Sequence, residues 1–306
     1  MTSVDLSTFI KEQALILGFE ACGIARADRI SNSARTKYQH WLEGKYHAGM
    51  QYMERNSEKR YDPRLLMEGC RSIIVVALNY SPLKKQNPEA PHIAEFAYGK
   101  DYHDIIREKL KTLLKAIKEM KPAVHGRAFA DSAPITERYW AREAGLGWLG
   151  KNHHLILPGK GSTYLLGELL IDLDLAYDKP VADHCGKCRR CIDACPTKAL
   201  NERDVLDANR CLSYLTIEKR GAFNATEARL VGESNCLFGC DKCQEACPWN
   251  RFASGNNHSE LQPKDGFLSM KRDDFEKMTE ADFKIFFAES CLHRTGYDGF
   301  IRNLKA

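Results

Sequence analysis

The sequence predicts a protein of the α+β class, with mixed α and β structure, in which a domain of helices and strands precedes a smaller cysteine-rich domain. Helical and strand-like periodicities alternate over residues 1–180, whereas nine of the 12 cysteines lie between Cys185 and Cys247. At 306 residues the chain is long enough for two domains and an appended segment. We expect domains at residues 1–180 and 181–255 and a C-terminal segment, 256–306, packed on the first domain.

The first helix and the central strand have the clearest patterns. Apolar residues from Val4 to Leu17 fall on one helical face, and Gly18 follows as a stop signal. "SIIVVALNY" (72–80) is a continuous apolar run with β-branched residues, which predicts a buried strand. "DYHDIIREKLKTLLKAIKEM" (101–120) repeats apolar residues with helical spacing and is followed by Pro122, which predicts a helix.

The later elements are predicted from shorter signals. "AVHGRAFA" (123–130) predicts a strand, and "DSAPITERYWAREAG" (131–145) predicts a helix with Pro134 in its first turn. "HHLILP" and "STYLLGELLIDLDL" predict a closing pair of strands around the Gly-rich turn at 159–161, completing a mixed sheet. Beyond residue 255, "GNNHSELQP" predicts an exposed linker, followed by one helix from Asp274 to about Ala288.

Composition limits the cellular setting. The net charge of +4 and pI near 8.4 permit a nucleic-acid partner without requiring one. The sequence has no apolar run long enough to span a membrane, and its N-terminus lacks the basic region of a signal peptide, so we expect a cytoplasmic protein. Thiols stay reduced in that compartment, so clustered cysteines indicate a metal centre, whereas Cys22, Cys70 and Cys291 are interpreted as small buried hydrophobes.

The first cysteine motif is "CGKCRRCIDACPTKAL", with cysteines at 185, 188, 191 and 195 followed by Pro196. Its spacing matches the bacterial ferredoxin run, in which three cysteines bind one [4Fe–4S] cluster and the fourth binds a second cluster. Zinc is the alternative, but zinc sites usually combine two separated cysteine pairs around one ion. The motif therefore predicts a protein with two iron–sulfur clusters.

The second motif, "CLFGCDKCQEACPWN" (236–250), fits the same frame imperfectly. Cys240, Cys243 and Cys247 are correctly spaced, but the residue that should precede them by three is Leu237. The missing ligand of the second cluster is either Cys236 or Cys211, which lies in "DANRCLSYLTIE". Chain spacing alone leaves both possibilities open.

Asp131 lies where a predicted strand gives way to a predicted helix, a common position for active groups in such folds. Considered by position alone, it is more typical of a helix cap. The following segment, "GLGWLGKNHHLI" (145–156), lacks a dinucleotide or phosphate-loop order. Its adjacent His153 and His154 are potential ligands, although a histidine pair alternating across a strand is more often structural.

Taken together, "FADSAPITERYWAREAGLGWLGKN", the ferredoxin run, "RCLSYLTIE" and "GCDKCQEACPWN" closely resemble the epoxyqueuosine reductase (QueG) family. The resemblance extends over nearly the whole chain, including "SIIVVALNY" and "YGKDYHD". It implies a cobalamin-binding domain with a nitroreductase and reductive-dehalogenase-like fold, fused to a two-[4Fe–4S] ferredoxin-like domain. Many members continue beyond "GFIRN" with a helical-repeat domain, whereas this sequence stops at Ala306, as expected of a short form.

The resemblance implies reduction of epoxyqueuosine to queuosine at the wobble position of the tRNA anticodon loop, the last step of queuosine biosynthesis. Reduced cobalamin, supplied with electrons by the two clusters, carries this chemistry, and Asp131 is the implied proton donor, protonated through burial against the corrin. Cys185, Cys188, Cys191 and Cys247 are the implied ligands of cluster 1, and Cys195, Cys211, Cys240 and Cys243 those of cluster 2, leaving Cys236 as a spare. The implied cobalamin neighbourhood contains Arg55, Tyr98, Asp101, Asp131, Arg138, Lys151, Asn152, His154 and Ser213.

The implied partners are tRNA carrying epoxyqueuosine and a low-potential electron donor such as flavodoxin or ferredoxin. Basic residues flank the cysteine motifs at Lys187, Arg189, Arg190, Lys198, Lys219 and Arg220, where they could bind RNA or form a solvated face. We expect no membrane association and a monomer. The alternatives are a corrinoid reductive dehalogenase-like enzyme acting on a small molecule and a simple two-cluster electron carrier.

Overall fold

The computed structural model describes residues 2–201 and 205–306. Its strands are β1 (Ala21–Arg26), β2 (Ser72–Asn79), β3 (His92–Ile93), β4 (Gly126–Phe129), β5 (Trp148–Leu149), β6 (Leu155–Ile156), β7 (Tyr164–Ile171) and β8 (Cys236–Phe238). Its α-helices are α1 (Ser3–Ile16), α2 (Asn32–Glu43), α3 (Ser57–Tyr61), α4 (Tyr102–Met120), α5 (Glu137–Glu143), α6 (Arg190–Asp193), α7 (Ala225–Ser234), α8 (Lys242–Glu245), α9 (Arg272–Glu276), α10 (Glu280–Phe286) and α11 (Gly296–Leu304). No helix among these residues combines the length and apolar character needed to cross a membrane.

A four-stranded sheet in the order β1-β2-β7-β4 forms the centre of residues 2–180, which we call the sheet region. Every neighbouring pair in it is antiparallel, so the predicted mixed sheet was wrong. The apolar run of β2 reflects burial of both sheet faces, which does not depend on strand direction. Helices α1 and α4 pack on one face, and α5 packs on the other.

The predicted first helix, central strand and long helix are confirmed. Thr2 caps α1 through a reciprocal hydrogen-bonded box with Asp5, and Gly18 follows with a φ of +89° that glycine adopts without strain. Strand β2 and helix α4 begin and end within one residue of their predicted bounds. Asp101 caps α4, and the apolar stripe of the helix covers the sheet.

The segment that precedes α5 and the strands β5, β6 and β7 depart from prediction. Helix α5 begins only at Glu137, so Pro134 lies before the helix and Asp131 is not its cap. Strand β6 pairs with β5, whereas β7 pairs with β2 and β4, so the predicted closing pair is not formed. His153 and His154 lie in the turn between β5 and β6, so they do not alternate across a strand.

Residues 181–255, which we call the cysteine-rich region, contain mostly short elements. Helices α6 and α8 have four residues each. Strand β8 pairs in parallel with β3 and so joins this region to the sheet region.

The C-terminal region, residues 256–306, is more closely packed than the sequence predicts. Asn256 and Leu261 are each 3% exposed, whereas Gly255, Asn257, Ser259 and Glu260 are exposed, so the predicted exposed linker is confirmed only in part. The predicted single helix is divided into α9 and α10, because Thr279 starts and caps the second, and α11 follows as a helix that was not predicted. Aromatic residues of this region form one core with Ala90–Tyr98 and with Leu237 and Phe238. The three domain boundaries themselves stay a prediction.

Candidate active site and cluster-binding cysteines

A cavity of about 380 Å³ lies between the sheet region and the cysteine-rich region. Its wall contains Tyr102 and Asp131 of the sheet region and four cysteines of the cysteine-rich region, Cys195, Cys211, Cys240 and Cys243. Groups able to transfer protons therefore line the same cavity as sulfur ligands.

Asp131 occupies the loop between β4 and α5 with a φ of +49°, a left-handed conformation uncommon outside glycine. Its Oδ2 accepts a hydrogen bond from the Tyr102 hydroxyl at 2.9 Å and lies 3.6 Å from Nε2 of His103. The Asp131 side chain is 61% exposed to the cavity. This position differs from the helix cap that its place in the sequence favoured, and it leaves the carboxyl group accessible.

His103 lies between two carboxylates. Its Nδ1 is 2.5 Å from Oδ1 of Asp101. The other oxygen of Asp101 accepts a hydrogen bond from Nε of Arg294 at 2.8 Å and lies 2.7 Å from Nη2 of the same residue in an ion pair. Burial lowers the pKa of His103, but its hydrogen bond to Asp101 and its ion pair with Asp131 outweigh burial and raise the pKa to about 9. His103 is therefore protonated at neutral pH.

The protonation state of Asp131 in this structure differs from the protonated carboxyl group that the family resemblance implies. Partial desolvation by the cavity wall raises the pKa of Asp131, but the ion pair with His103 and the hydrogen bond from Tyr102 outweigh it, so the pKa lies below the ordinary value. Asp131 is ionised at neutral pH in this structure, and the adjacent proton is on His103.

Two glutamates support the Asp131 loop. Oε1 of Glu137, in the first turn of α5, accepts a hydrogen bond from the Asp131 backbone N–H at 2.6 Å. The Glu137 carboxyl group lies beside that of Glu168 on β7, whose two oxygens have no hydrogen-bond donor among the described residues. Burial, and then the charge of Asp131, raise the pKa of Glu137.

Of the residues predicted for the cobalamin neighbourhood, the cavity is lined by Asp131, Arg138, Asn152, His154 and Ser213. Burial, and then the nearby Arg138, lower the pKa of His154 to about 4, so a neutral imidazole faces the cavity.

Four predicted residues do not line this cavity. Arg55 is exposed, and Tyr98 is buried in the core shared with the C-terminal region. Asp101 reaches the site only through His103, and Nζ of Lys151 donates to the carbonyl oxygens of Gly186 and Cys188 at 2.7 and 2.9 Å. Their cobalamin contacts stay a prediction that the cavity does not support.

Sequence reasoning missed several lining residues, among them Tyr80, Tyr102, Glu137 and Gln244. The Gln244 amide donates to the Tyr80 hydroxyl and to the Ser162 carbonyl oxygen, both at 2.9 Å, and so fixes this wall. Tyr102 and His103 lie within the "YGKDYHD" segment, which the resemblance had already marked. Glu168 was detectable as the one acidic residue inside the apolar run "YLLGELLI".

The first group of cysteines surrounds a smaller cavity of about 80 Å³. It consists of Cys185, Cys188, Cys191 and Cys247. Burial raises the pKa of Cys247, and the neighbouring Cys185 and Cys188 raise it further, which reflects their proximity. The last cysteine of the second motif thus lies beside three cysteines of the first motif.

The second group is the set that lines the larger cavity. Burial raises the pKa of Cys243 most, and the adjacent Cys211 and Cys195 add to the effect. Cys236 lines neither cavity: it is 2% exposed on β8, where its thiol lies close to Cys240. Geometry therefore places Cys211, and not Cys236, at the cavity edge.

Neither group is arranged for a single ion. Among residues 2–201 and 205–306, no three His, Cys, Asp or Glu side chains converge closely enough to hold one metal ion. A zinc ion needs four ligands at bonding distance from one centre, whereas a [4Fe–4S] cluster binds each thiolate at a separate iron and so accepts more widely spaced sulfurs. Two groups of four cysteines fit two such clusters.

These features define an oxidoreductase that carries two iron–sulfur clusters, with the second cysteine group facing an acid-bearing cavity. Residues 184–250 match the family described as a 4Fe-4S double cluster binding domain, and residues 60–132 match epoxyqueuosine reductase QueG, DUF1730.

Known proteins support the same assignment at full length. The epoxyqueuosine reductase of Cellulophaga algicola is 43% identical over 299 residues, covering 97% of this chain and 96% of the relative. A crystal structure of epoxyqueuosine reductase with an epoxyqueuosine-modified tRNA-Tyr stem loop superposes with a TM-score of 0.88 at 29% identity, covering 99% of this chain and 80% of that one. The enzyme from Bacillus subtilis, with its catalytic aspartate loop swung out of the active site, gives a TM-score of 0.87 at 29% identity, with 99% and 81% coverage. This chain belongs to the epoxyqueuosine reductase family.

Proposed function

We propose that this chain reduces epoxyqueuosine to queuosine at the wobble position of the tRNA anticodon loop. The observation that carries the proposal is the shared cavity, which is lined both by Asp131 and by the second group of cysteines. Loss of the epoxide oxygen consumes two electrons and two protons and yields an alkene and water. An enzyme for this reaction must therefore bring electron and proton sources to one place.

The donor set supports a route for the electrons. Cluster 1 would bind to Cys185, Cys188, Cys191 and Cys247, and cluster 2 to Cys195, Cys211, Cys240 and Cys243, beside the cavity. Bound there, the two clusters would supply low-potential one-electron carriers, one of them beside the cavity, and the proposed external donor is a low-potential protein such as flavodoxin or ferredoxin.

The cavity also suits cobalamin. Apolar side chains such as Phe96, Leu166 and Leu212 form much of its lining, which favours a largely apolar macrocycle. Arg138, Asn152, His154 and Ser213 provide polar groups for its amide substituents. Reduced cobalamin, when bound, supplies a strongly nucleophilic, low-potential centre able to open an epoxide.

The residues around Asp131 support its role as proton donor to the leaving oxygen. Its carboxylate lies 3.6 Å from Nε2 of the protonated His103 and accepts from Tyr102, so a proton can reach Asp131 from within the site. The solved relative with its aspartate loop swung out suggests that the Asp131 loop also moves during turnover.

The remaining partners follow from the same function. The substrate nucleotide has to turn out of the stacked anticodon loop to enter the cavity, a rearrangement that is common when proteins recognise single-stranded RNA. Lys187, Arg190, Lys198 and Arg220 are candidate phosphate contacts, whereas Lys219 is half-buried and paired with Glu227 at 3.0 Å. We further propose that the protein acts as a monomer in the cytoplasm.

The test compares wild-type protein with Asp131→Asn after anaerobic loading with iron, sulfide and cobalamin. Given a low-potential reductant and epoxyqueuosine-containing tRNA, the wild type should form queuosine, measured by mass spectrometry of digested nucleosides. Asp131→Asn should keep both cofactors but lose turnover by about 100-fold or more, the usual contribution of a positioned acid. Failure of the fully loaded wild type to form queuosine would refute the function, and undiminished turnover of the variant would remove Asp131 from the mechanism.

A further inference from the structure

Glu168 is an acidic residue inside the hydrophobic core. It lies on β7 between Leu166 and Leu170, on the sheet face that α5 covers, and its side chain is 0% exposed. An ionised carboxylate in such a place, without hydrogen-bond donors, is strongly unfavourable. The residue therefore needs either a donor or a proton of its own.

The surroundings provide no donor. Within the described part of the chain, no N–H or O–H group donates to either carboxylate oxygen of Glu168, and its polar neighbour is the Glu137 carboxyl group. Two carboxyl groups form a hydrogen bond only when one of them carries a proton. Glu168 is fully buried and has no donor, whereas the less buried Glu137 already accepts the Asp131 N–H, so the proton belongs to Glu168. Burial, and then the charge of Glu137, accordingly raise the pKa of Glu168 well above its usual value.

Glu137 connects this buried acid to the active site. Its Oε1 accepts the Asp131 backbone N–H at 2.6 Å, and Asp131 has a φ of +49°. A non-glycine residue keeps that conformation only when its surroundings hold it. The Glu137 carboxylate thus restrains the Asp131 loop at one end, and the proton on Glu168 orients that carboxylate.

We propose that Glu137 and Glu168 form a carboxyl pair sharing one proton, which latches the Asp131 loop in the position where its carboxyl group faces the cavity. Glu168 acts as a neutral hydrogen-bond donor and Glu137 as the acceptor of the Asp131 N–H. Both are positioning residues, since neither is required to touch the substrate. The proposal rests on the proposed function only in taking Asp131 as the catalytic acid.

The latch predicts a dependence on pH. The charged or titratable groups around the pair are Asp131 and Arg138 beside it, with Tyr102 and His103 of α4 beyond Asp131. Below the raised pKa of Glu168 the pair keeps its proton; above it, two adjacent carboxylates repel each other and release the loop. His103 loses its proton at about pH 9 and contributes separately to the alkaline loss of activity.

The test uses two substitutions at one position. In Glu168→Gln the side-chain amide still donates to Glu137, so the latch is retained without an ionisable proton. In Glu168→Leu the donor is lost, although the leucine suits the apolar face between Leu166 and Leu170. Replacing a buried carboxyl group by an apolar side chain of similar size is often neutral or stabilising, so this variant should fold.

The primary measurement is hydrogen–deuterium exchange at the Asp131 amide in the iron-loaded protein. The amide should be protected in the wild type and in Glu168→Gln and should exchange about tenfold faster or more in Glu168→Leu, because its acceptor is no longer fixed. Glu143→Gln is a matched control, since Glu143 lies in the same helix but pairs with Arg142. Equal protection in all four proteins would overturn the latch, whatever the protein's activity.

Kinetics then distinguish a latch from a proton source. Glu168→Leu should lower kcat by about tenfold or more with little change in KM for tRNA, because small misplacements of a reacting group are costly. Glu168→Gln should keep kcat within about threefold and lose the part of the alkaline decline due to Glu168. If Glu168→Gln is as inactive as Glu168→Leu, the pair does not act as a latch and the proposal fails. If no variant or wild type forms queuosine, the proposed function fails while the exchange measurement still decides the latch.

Discussion

The sheet region and the cysteine-rich region are stabilised in different ways. In the sheet region, all eight residues of β2 are buried, and apolar side chains pack on both faces of the sheet. In the cysteine-rich region, α6 and α8 have only four residues each, and isolated helices of this length are unstable in water. We therefore expect the first region to be held by its core, and the second, whose own apolar cluster is small, to depend more on the groups that its cysteines bind.

The two regions also contribute different groups to the candidate site. The sheet region fixes acids and their hydrogen bonds on long elements, with Tyr102 and His103 at the start of α4 and Glu168 on β7. The cysteine-rich region contributes sulfur ligands from short turns. The active cavity lies where the two regions meet, so that neither region contains the whole site.

The largest expected effect is on the cysteine-rich region. Cys211→Ser should lose the second cluster, halving the iron content, and with it queuosine formation, because a serine hydroxyl replaces a thiolate ligand. Cys236→Ser is the matched control and should keep both clusters, since Cys236 lines neither cavity. Iron and acid-labile sulfide analysis of the anaerobically purified proteins measures the cluster content of both variants. The opposite pattern would assign the ligand to Cys236.

The next effect concerns the sheet region. Ile74→Ala, at a fully buried position of β2, should lower the free energy of unfolding by about 2–5 kcal/mol through the cavity it creates. Iron content should stay unchanged, because the cysteines do not depend on this part of the core. Urea unfolding and iron analysis of the same sample check the two expectations. Val4→Ala, at a side chain that is 61% exposed, is the control, and parallel loss of stability and iron would contradict the contrast between the regions.

The smallest effect is a shift in pH dependence. Asp101→Asn should lower the pKa of His103 from about 9 toward its ordinary 6.5, since the buried carboxylate next to the imidazole is lost. The alkaline limit of activity set by His103 should move to lower pH, which a pH profile of kcat/KM and NMR titration of the imidazole would reveal. Asp104→Asn, whose exposed carboxylate pairs with Arg107, should leave the profile unchanged. An unchanged pKa of His103 in Asp101→Asn would show that Asp101 does not stabilise the protonated imidazole.

The same residue predicts how stability depends on pH. The folded protein binds the His103 proton more tightly than the unfolded chain, because the pKa of His103 is raised from 6.5 to about 9. The stabilisation is complete below pH 6.5 and is lost as pH rises through about 9. In Asp101→Asn this loss should occur over a narrower range.

The sequence predicted those parts that depend on local pattern. The apolar run of β2, the stripe of α4 and the spacing of the first cysteine motif each indicate their structure directly. Strand direction was not predictable, because burial of both faces gives the same apolar run in parallel and antiparallel sheets. Cys211 and Cys236 could not be separated by spacing, because the fold and not the motif brings Cys211 beside Cys195.

The active-site acids were only partly predictable. Asp131 was marked by the resemblance, but its backbone conformation and its ionised state depend on Glu137, Tyr102 and His103, which come from two other elements. Glu168 is recognisable in the sequence as an acidic residue within a buried strand. Its partner, Glu137, is brought to it only by the packing of α5 on the sheet. The sequence motifs therefore indicate which acidic residues matter, whereas tertiary contacts set the conformation and the protonation of those residues.

Single turnover by prereduced protein tests the central claim most directly, that electrons and a proton meet in the one cavity. Protein loaded with both clusters and cobalamin is reduced, freed of excess reductant under anaerobic conditions and mixed with epoxyqueuosine-containing tRNA. We predict the formation of up to one queuosine per chain, and none when cobalamin is omitted during loading. Equal product formation without cobalamin, or no product from the fully loaded and reduced chain, would contradict this account.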